Sequence, residues 1–327
     1  MSKTAFVTGG TGFLGINLLH KLCEQGWQVT ALHRPSSELK YIQHLPIQLV
    51  EGSITDKASL IAGIPTGTEV IFHLAGDTNM WRPNNDRQRL INVEGTRNMI
   101  EAAAAQNAKT FIHTSSISAW GDVKGMIDES VPQRGEQSWI NYEKTKWQGE
   151  QIALKGRESG FKVVVINPAS IVGAYDLTSW AQIFFALRDD DIPGIPPGSN
   201  SFVHVDDVVA AHIAAVDKGQ DGHRYILSGE NAPIQSLVAE IAKSMGISKI
   251  PRQIPGPILK FIAGLSYFGG RIIGKESTIT PEIANFMSRK DYAFDNSKAL
   301  GELGYQMRPW REGVQANYDW LKEEGFL

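Results

Sequence analysis

The chain has little of several features that mark special classes of protein. It holds one cysteine, Cys23, which excludes an internal disulfide, and no cysteine–histidine cluster has metal-ligand spacing, so we predict no bound metal. The formal net charge is only −3, and no long run of like charge occurs. Nucleic acid is therefore not an expected partner, because it would require a basic face. With 42% hydrophobic and 20% charged residues, the 327-residue chain is typical of a globular protein.

The sequence also lacks a targeting segment and an uninterrupted apolar run. A strand pattern begins at residue 4, which leaves no room for a signal peptide, and we expect a cytoplasmic location. The most apolar stretch, residues 255–273, is broken by Lys260, Arg271 and several glycines. A spanning helix needs roughly 20 apolar residues in a row. Two interpretations remain open: a helix buried in a substrate lobe, which we favour, or an amphipathic helix that contacts a membrane surface or an apolar substrate.

What the sequence does contain is a regular alternation of strands and helices in its first half. Apolar runs predict strands at residues 4–7, 28–31, 47–51, 70–74, 110–113 and 162–166, and amphipathic patterns predict helices at 13–25 and 93–105. Strands that alternate with helices indicate an α/β fold with a doubly wound parallel sheet.

The regular alternation of strands and helices ends after Pro168. A turn-rich connection at 189–198 is followed by a helix that ends near residue 216 and by a strand at 225–227. From about 231 to 290 the pattern is helical, without a βαβ repeat. We therefore predict a nucleotide-binding domain of residues 1–168, which also receives about 202–229. Residues 169–201 and 230–327 are predicted to form a smaller, mostly helical substrate lobe.

A glycine-rich loop joins the first strand to the first helix at residues 8–15 (TGGTGFLG). Glycines at this position allow a tight turn and close approach of the backbone to a pyrophosphate, which then lies at a helix N-terminus. The predicted cofactor contacts in the loop are Gly9, Thr11, Gly12, Phe13, Leu14 and Gly15.

The end of the second strand selects between the two nicotinamide cofactors. An acidic residue there would bind the ribose 2′-hydroxyl of NAD. This chain instead has Arg34, followed by two serines. Because an arginine can neutralise a 2′-phosphate, we predict NADP(H), with NAD as the alternative.

Tyr142 and Lys146 are four positions apart on a predicted helix and so share one face. A neighbouring ammonium lowers the pKa of a phenol, and we expect this effect to suit Tyr142 to proton exchange with an alcohol or a carbonyl. Ser116, at the end of the fifth strand, would hold the same oxygen. These three residues are the predicted catalytic set.

With these residues together, the chain resembles the extended short-chain dehydrogenase/reductase superfamily, and within it the dihydroflavonol 4-reductase-like group of NAD(P)-dependent epimerase/dehydratase proteins. The motifs that carry the resemblance run through nearly the whole chain: residues 8–15, 72–76 (FHLAG), 92–96 (NVEGT), 114–116 (TSS), 142–146 (YEKTK), 167–173 (NPASIVG) and 202–208 (FVHVDDV). The resemblance implies a Rossmann fold.

The resemblance also implies roles for individual residues. Ser116 would bind the reacting oxygen, Tyr142 would exchange its proton, and Lys146 would bind the nicotinamide ribose. The other implied cofactor contacts are Arg34, Ser53, Ile54, Leu74, Ala75, Gly76, Thr114, Pro168 and Ile171. Ser53 stands where the family usually has an acidic residue near the adenine, so this contact is expected to be weaker.

Three functions follow as hypotheses. The first is an NADPH-dependent oxidoreductase that reduces a carbonyl, or oxidises the corresponding alcohol, on a fairly apolar small molecule. Its pocket would be lined by aromatic residues, for which the candidates are Trp81, Trp120, Trp139, Tyr175 and Trp180. The second is a nucleotide-sugar epimerase or dehydratase that keeps NAD tightly bound, and the third is a non-catalytic NADP-sensing protein. Relatives of this kind also suggest a homodimer formed through helices such as 93–105 and 142–156.

Overall fold

The computed structural model describes residues 3–327. Its strands are β1 (Thr4–Thr8), β2 (Gln28–His33), β3 (Gln48–Glu51), β4 (Val70–His73), β5 (Thr110–Thr114), β6 (Gly125–Ile127), β7 (Lys162–Pro168), β8 (Ser170–Val172), β9 (Ser199–His204), β10 (Arg224–Leu227), β11 (Glu230–Pro233) and β12 (Tyr292–Phe294). Its α-helices are α1 (Phe13–Glu24), α2 (Lys57–Gly63), α3 (Asn85–Arg89), α4 (Gly95–Ala105), α5 (Asn141–Lys155), α6 (Gln182–Arg188), α7 (Val205–Asp217), α8 (Ile234–Ser244), α9 (Gly256–Ile273), α10 (Pro281–Phe286) and α11 (Trp310–Glu323).

Seven parallel strands form the central sheet in the order β10-β7-β5-β4-β1-β2-β3. Their apolar side chains are buried on both faces, as in Val163–Ile166, which reads as one continuous apolar run. Helices α1 and α7 pack on one face, and α2, α4 and α5 pack on the other. The predicted α/β fold with a doubly wound parallel sheet is confirmed.

The remaining strands form two small sheets that the sequence did not predict. One has the order β11-β9-β8, and the other pairs β12 with β6. A helical core of α6, α8 and α11 packs against the first of these sheets. All of these strands except the six-residue β9 have three or four residues, which is too short for an alternating pattern to stand out. The C-terminal part is mostly helical, and the domain division stays a prediction.

Helix α9 covers nearly all of the apolar stretch at 255–273 and corrects the interpretation that we favoured for it. Only Leu259, Ala263 and Gly270 are buried, whereas most of its large apolar side chains are exposed. Across residues 3–327, the structure contains no helix with the length and apolar character needed to cross a bilayer. The stretch is therefore a surface helix with one face packed on the protein.

Candidate active site

The glycine loop leaves β1 and enters α1 with the geometry that a bound pyrophosphate requires. Gly9 has a φ of +74°, and a Cβ there would lie 2.6 Å from the backbone nitrogen of Ala75. A Cβ on Gly15 would lie 2.0 Å from the carbonyl oxygen of Gly9. Gly12 begins the helix as an exposed residue, and no side chain of residues 3–327 caps this end. The backbone N–H groups of the first turn thus remain for an anion.

The carboxyl ends of neighbouring strands converge around this loop. Leu74 donates its backbone N–H to the Thr8 carbonyl over 3.1 Å, and Ala75 donates to the Thr8 hydroxyl over 3.3 Å. Pro168 ends β7, and Ile171 lies in β8 directly after it. In an open parallel sheet this edge is where ligands bind, so these residues fit an extended dinucleotide.

Two further residues lie near the expected adenosine end. Arg34 follows β2 as an exposed residue, and its backbone nitrogen donates to Ser37 Oγ over 3.1 Å. Ser53 follows β3, where its Oγ accepts the Thr55 backbone N–H over 3.2 Å. Ile54 is buried against Gly95 at the start of α4. The Ser53 hydroxyl therefore holds the turn into α2, and its contact with the cofactor stays a prediction.

The three predicted catalytic side chains lie together at the end of β5. The Ser116 Oγ accepts the Ser118 backbone N–H over 3.1 Å. It is also close enough to the Tyr142 hydroxyl for a hydrogen bond that lowers the pKa of the phenol. Lys146 Nζ donates to the Thr114 carbonyl over 2.8 Å. The same Nζ would lie 3.8 Å from a Cβ on Gly76, so it faces the loop that follows β4.

The protonation of this set differs from what the sequence predicted. Burial raises the pKa of the Tyr142 phenol, and the hydrogen bond from Ser116 only partly opposes this effect. Burial also lowers the pKa of Lys146 to about 8, against the opposing charge of Glu150. The predicted lowering of the Tyr142 pKa by Lys146 is wrong for this structure, because desolvation outweighs other effects on the phenol.

Asn92 fixes the loop after β4 to the helix that carries Tyr142. Its side-chain amide accepts the Asp77 backbone N–H over 2.7 Å and donates to the Asp77 carbonyl over 2.9 Å. It also donates to Thr145 Oγ1 on α5 over 3.1 Å. Asn92 lies in a π-helical segment, Leu90–Glu94, between α3 and α4. Such segments are frequent at functional sites, but only the motif, and not this role, was visible in the sequence.

His212 on α7 forms a hydrogen bond with the Thr114 hydroxyl, whereas Lys146 bonds to the backbone carbonyl of the same residue. Its Nδ1 lies 2.8 Å from the Val208 carbonyl, which can only accept, so this nitrogen carries the proton. The other nitrogen, Nε2, then accepts the Thr114 hydroxyl over 2.8 Å. Burial lowers the pKa of His212 to about 4, which keeps the ring neutral. Thr114 thus contacts both α7 and Lys146, and its predicted role in the cofactor channel remains a prediction.

A buried carboxylate, Glu150, lies one helical turn beyond Lys146. Glu150 accepts Gln133 Nε2 over 2.8 Å and Asn167 Nδ2 over 2.7 Å, and it pairs with Arg224. The sequence analysis missed this residue, although its spacing of four from Lys146 was a usable signal. Glu150 supports the charged form of Lys146 in an otherwise desolvating environment.

The aromatic residues proposed for one substrate pocket do not gather in one place. Trp120 is fully buried and donates to the Val131 carbonyl, and Tyr175 packs against Trp320. Trp81, by contrast, follows the Gly76 loop and contacts Tyr267 of α9, with ring centroids 4.9 Å apart. Of these three residues, Trp81 is the one that links the loop after β4 to α9.

Comparisons with known proteins agree with this geometry. A model of the NAD dependent epimerase/dehydratase family matches residues 5–228. A dihydroflavonol 4-reductase-like protein of Synechocystis is 30% identical, with 100% of this chain and 97% of the relative covered. A 4-hydroxy-2-methyl-3-oxo-4-farnesyl-3,4-dihydroquinoline-1-oxide ketoreductase of Stigmatella aurantiaca is 29% identical, with 98% and 96% covered.

A solved structure is similar to this chain over almost its whole length. The crystal structure of gox2253 superposes with a TM-score of 0.84 at 30% identity and covers 99% of each chain. The family model covers more than half of the chain, and the Synechocystis relative and gox2253 are each 30% identical over nearly all of it. The chain belongs to the NAD-dependent epimerase/dehydratase family.

Proposed function

We propose that the protein is an NADPH-dependent reductase that acts on the carbonyl group of a fairly apolar small molecule. The observation that carries the proposal is the meeting of Ser116, Tyr142 and Lys146 beside Gly76, at the edge where the cofactor is expected. The ketoreductase relative supports the substrate class, since its named substrate carries a farnesyl chain.

Tyr142 would be the proton donor in this reduction. Its raised pKa keeps the phenol protonated at neutral pH, so the hydroxyl can donate a proton to a carbonyl oxygen. Ser116 would hold that oxygen by a second hydrogen bond. The nicotinamide would supply the hydride. Lys146, with a pKa of about 8, is mostly charged at neutral pH and would bind the ribose hydroxyls.

The NADPH preference rests on Arg34. Its exposed guanidinium follows β2, where the 2′-phosphate of NADP is expected, and no acid occupies the neighbouring positions 33–37. The remaining predicted contacts would follow the dinucleotide from Gly9–Gly15 to Pro168 and Ile171. A cytoplasmic homodimer remains a prediction.

A sugar epimerase or dehydratase that holds NAD is the second candidate, and one observation favours it. A cavity of about 310 Å³ near β12 is lined by Lys124, Lys260, Arg289 and Lys290, together with two aspartates. Such a set of cations can bind a nucleotide diphosphate. Arg289, however, is engaged by Glu143 over 2.7 Å, which leaves fewer cations for a ligand and favours the reductase.

The cofactor content of the purified protein tests the two candidates. A reductase should be purified without cofactor, be stabilised against heat by NADPH more than by NADH, and oxidise NADPH with a member of an apolar ketone panel. Stoichiometric NAD in the purified protein would instead support the epimerase. If neither cofactor shifts the melting temperature, both proposals fail.

A further inference from the structure

Helix α9 presents a row of apolar side chains to the solvent. Ile258, Phe261, Leu265, Phe268 and Ile272 are between 51% and 70% exposed. Their spacing of three and four residues places them on one face of the helix. An exposed apolar row of this length on a globular protein is a sign of an interaction surface.

The face of α9 opposite the apolar row packs against the protein. The helix therefore cannot rotate to bury the apolar row without losing these contacts. Leu259 and Ala263 are buried in a small cluster with Ala284 of α10. Tyr267 packs against Trp81, and a Cβ on Gly270 would lie 3.0 Å from the Trp81 ring. The orientation of α9 therefore follows from its inner contacts, and the apolar row remains outside.

The charges of α9 identify the kind of partner. Lys260 and Arg271 are the charged residues of this helix, and both are basic. After its end, Lys275 is followed by Glu276, whose carboxylate accepts hydrogen bonds from Asn79 and Asn84. Lys260 and Arg271 are about three turns apart, so they lie on the same side of the helix, between its inner face and the apolar row, where Lys260 also borders the cavity near β12. In a chain of net charge −3, this helix thus combines an apolar face with a basic border.

A bilayer fits this pattern better than a second copy of the chain. Helices that pair through an apolar row usually carry opposite charges on either side of it. The charged residues of α9 are all basic, so two copies of this helix would repel each other. Helices that lie in a membrane interface combine large apolar residues with Lys and Arg.

We propose that α9 docks on the surface of an anionic lipid bilayer. The apolar row enters the headgroup region, and Lys260, Arg271 and Lys275 contact the lipid phosphates. The proposal concerns binding alone and is independent of the reaction. The inner side of α9 lines an apolar cavity of about 400 Å³ through Leu259 and Ile262, which would place that cavity just beneath the membrane surface.

Co-sedimentation of the full chain with vesicles tests the proposal. With phosphatidylcholine vesicles that contain about a quarter phosphatidylglycerol, we expect binding of the wild-type chain. The double variant Phe261→Ser/Phe268→Ser should bind at least about tenfold more weakly, because it removes two inserted side chains. Ile61→Ser/Leu300→Ser is the matched control, since both residues are exposed apolar side chains elsewhere, and it should bind like the wild type.

A second pair of measurements isolates the contribution of the basic residues to vesicle binding. Lys260→Gln/Arg271→Gln should weaken binding to the anionic vesicles and leave the weak binding to pure phosphatidylcholine unchanged. A cooperative thermal unfolding transition close to the wild-type melting temperature checks that each variant is folded. The proposal is overturned if the folded wild type does not bind anionic vesicles. It is also overturned if sedimentation velocity shows a dimer that Phe261→Ser/Phe268→Ser dissociates, because a second copy then covers the row.

Discussion

Arg289 Nη1 lies 2.7 Å from Glu143 Oε1, and Glu143 is the residue that directly follows Tyr142 on α5. The Ser138 hydroxyl donates to the other oxygen of the same carboxylate over 2.7 Å. The Glu143 side chain is 1% exposed and that of Arg289 is 13% exposed. The segment after α10 is thus held to the catalytic helix by a buried ion pair.

Removal of Arg289 should therefore cost more stability than removal of a surface cation. Arg289→Met leaves the Glu143 carboxylate buried without its ionic partner, which costs about 3–5 kcal/mol. Lys57→Met is the control, because Lys57 pairs with Glu101 on the surface and such pairs contribute about 1 kcal/mol or less. Urea unfolding of both variants measures the difference. Equal, small losses would contradict the structural role given to Arg289.

The cofactor preference should depend on Arg34. Arg34→Ala removes the cation expected at the 2′-phosphate, so the KM for NADPH should rise at least about tenfold, the loss of one charge-assisted contact. The KM for NADH should change little. Arg252→Ala, at an exposed arginine of the C-terminal part, should alter neither constant. An equal effect of Arg34→Ala on both cofactors would refute the NADP assignment.

The pH dependence should report on Lys146. The pKa of Lys146 is about 8, so its charge is present below this value and is lost as the pH rises through it. We expect kcat/KM for NADPH, which reflects the free enzyme, to be constant below about pH 8 and to fall above it. The Lys146→Arg side chain stays charged over this pH range, so the fall in kcat/KM should move to a higher pH.

The same shift predicts a stability effect of known sign. Because the folded pKa lies below the ordinary value of 10.5, the unfolded chain binds more protons between the two values. The contribution of Lys146 to the free energy of unfolding should therefore increase as the pH rises from about 8 to 10.5. A wild-type minus Lys146→Met difference that decreases across this window would contradict the pKa direction.

The central sheet was predictable from the sequence, and most of the supporting network was not. Buried parallel strands such as Val163–Ile166 are visible as apolar runs. The glycine loop was predictable because it lies between a clear strand pattern and a clear helix pattern. The pKa of Tyr142 was predicted in the wrong direction, because desolvation depends on contacts from distant parts of the chain. The bonds of Asn92 and Glu150 likewise depend on how α5 packs, which no local pattern records.

The central claim is that Tyr142 provides the proton, and the most direct test is the turnover of Tyr142→Phe beside its affinity for NADPH. Loss of one positioned acid should reduce kcat at least about 100-fold, while NADPH binding, followed by fluorescence titration, stays at the wild-type level. Tyr318→Phe, at a partly buried tyrosine of α11 stacked on Phe184, should retain full activity. If Tyr142→Phe turns over an apolar ketone at the wild-type rate, Tyr142 is not the proton donor and the proposed reductase mechanism is wrong.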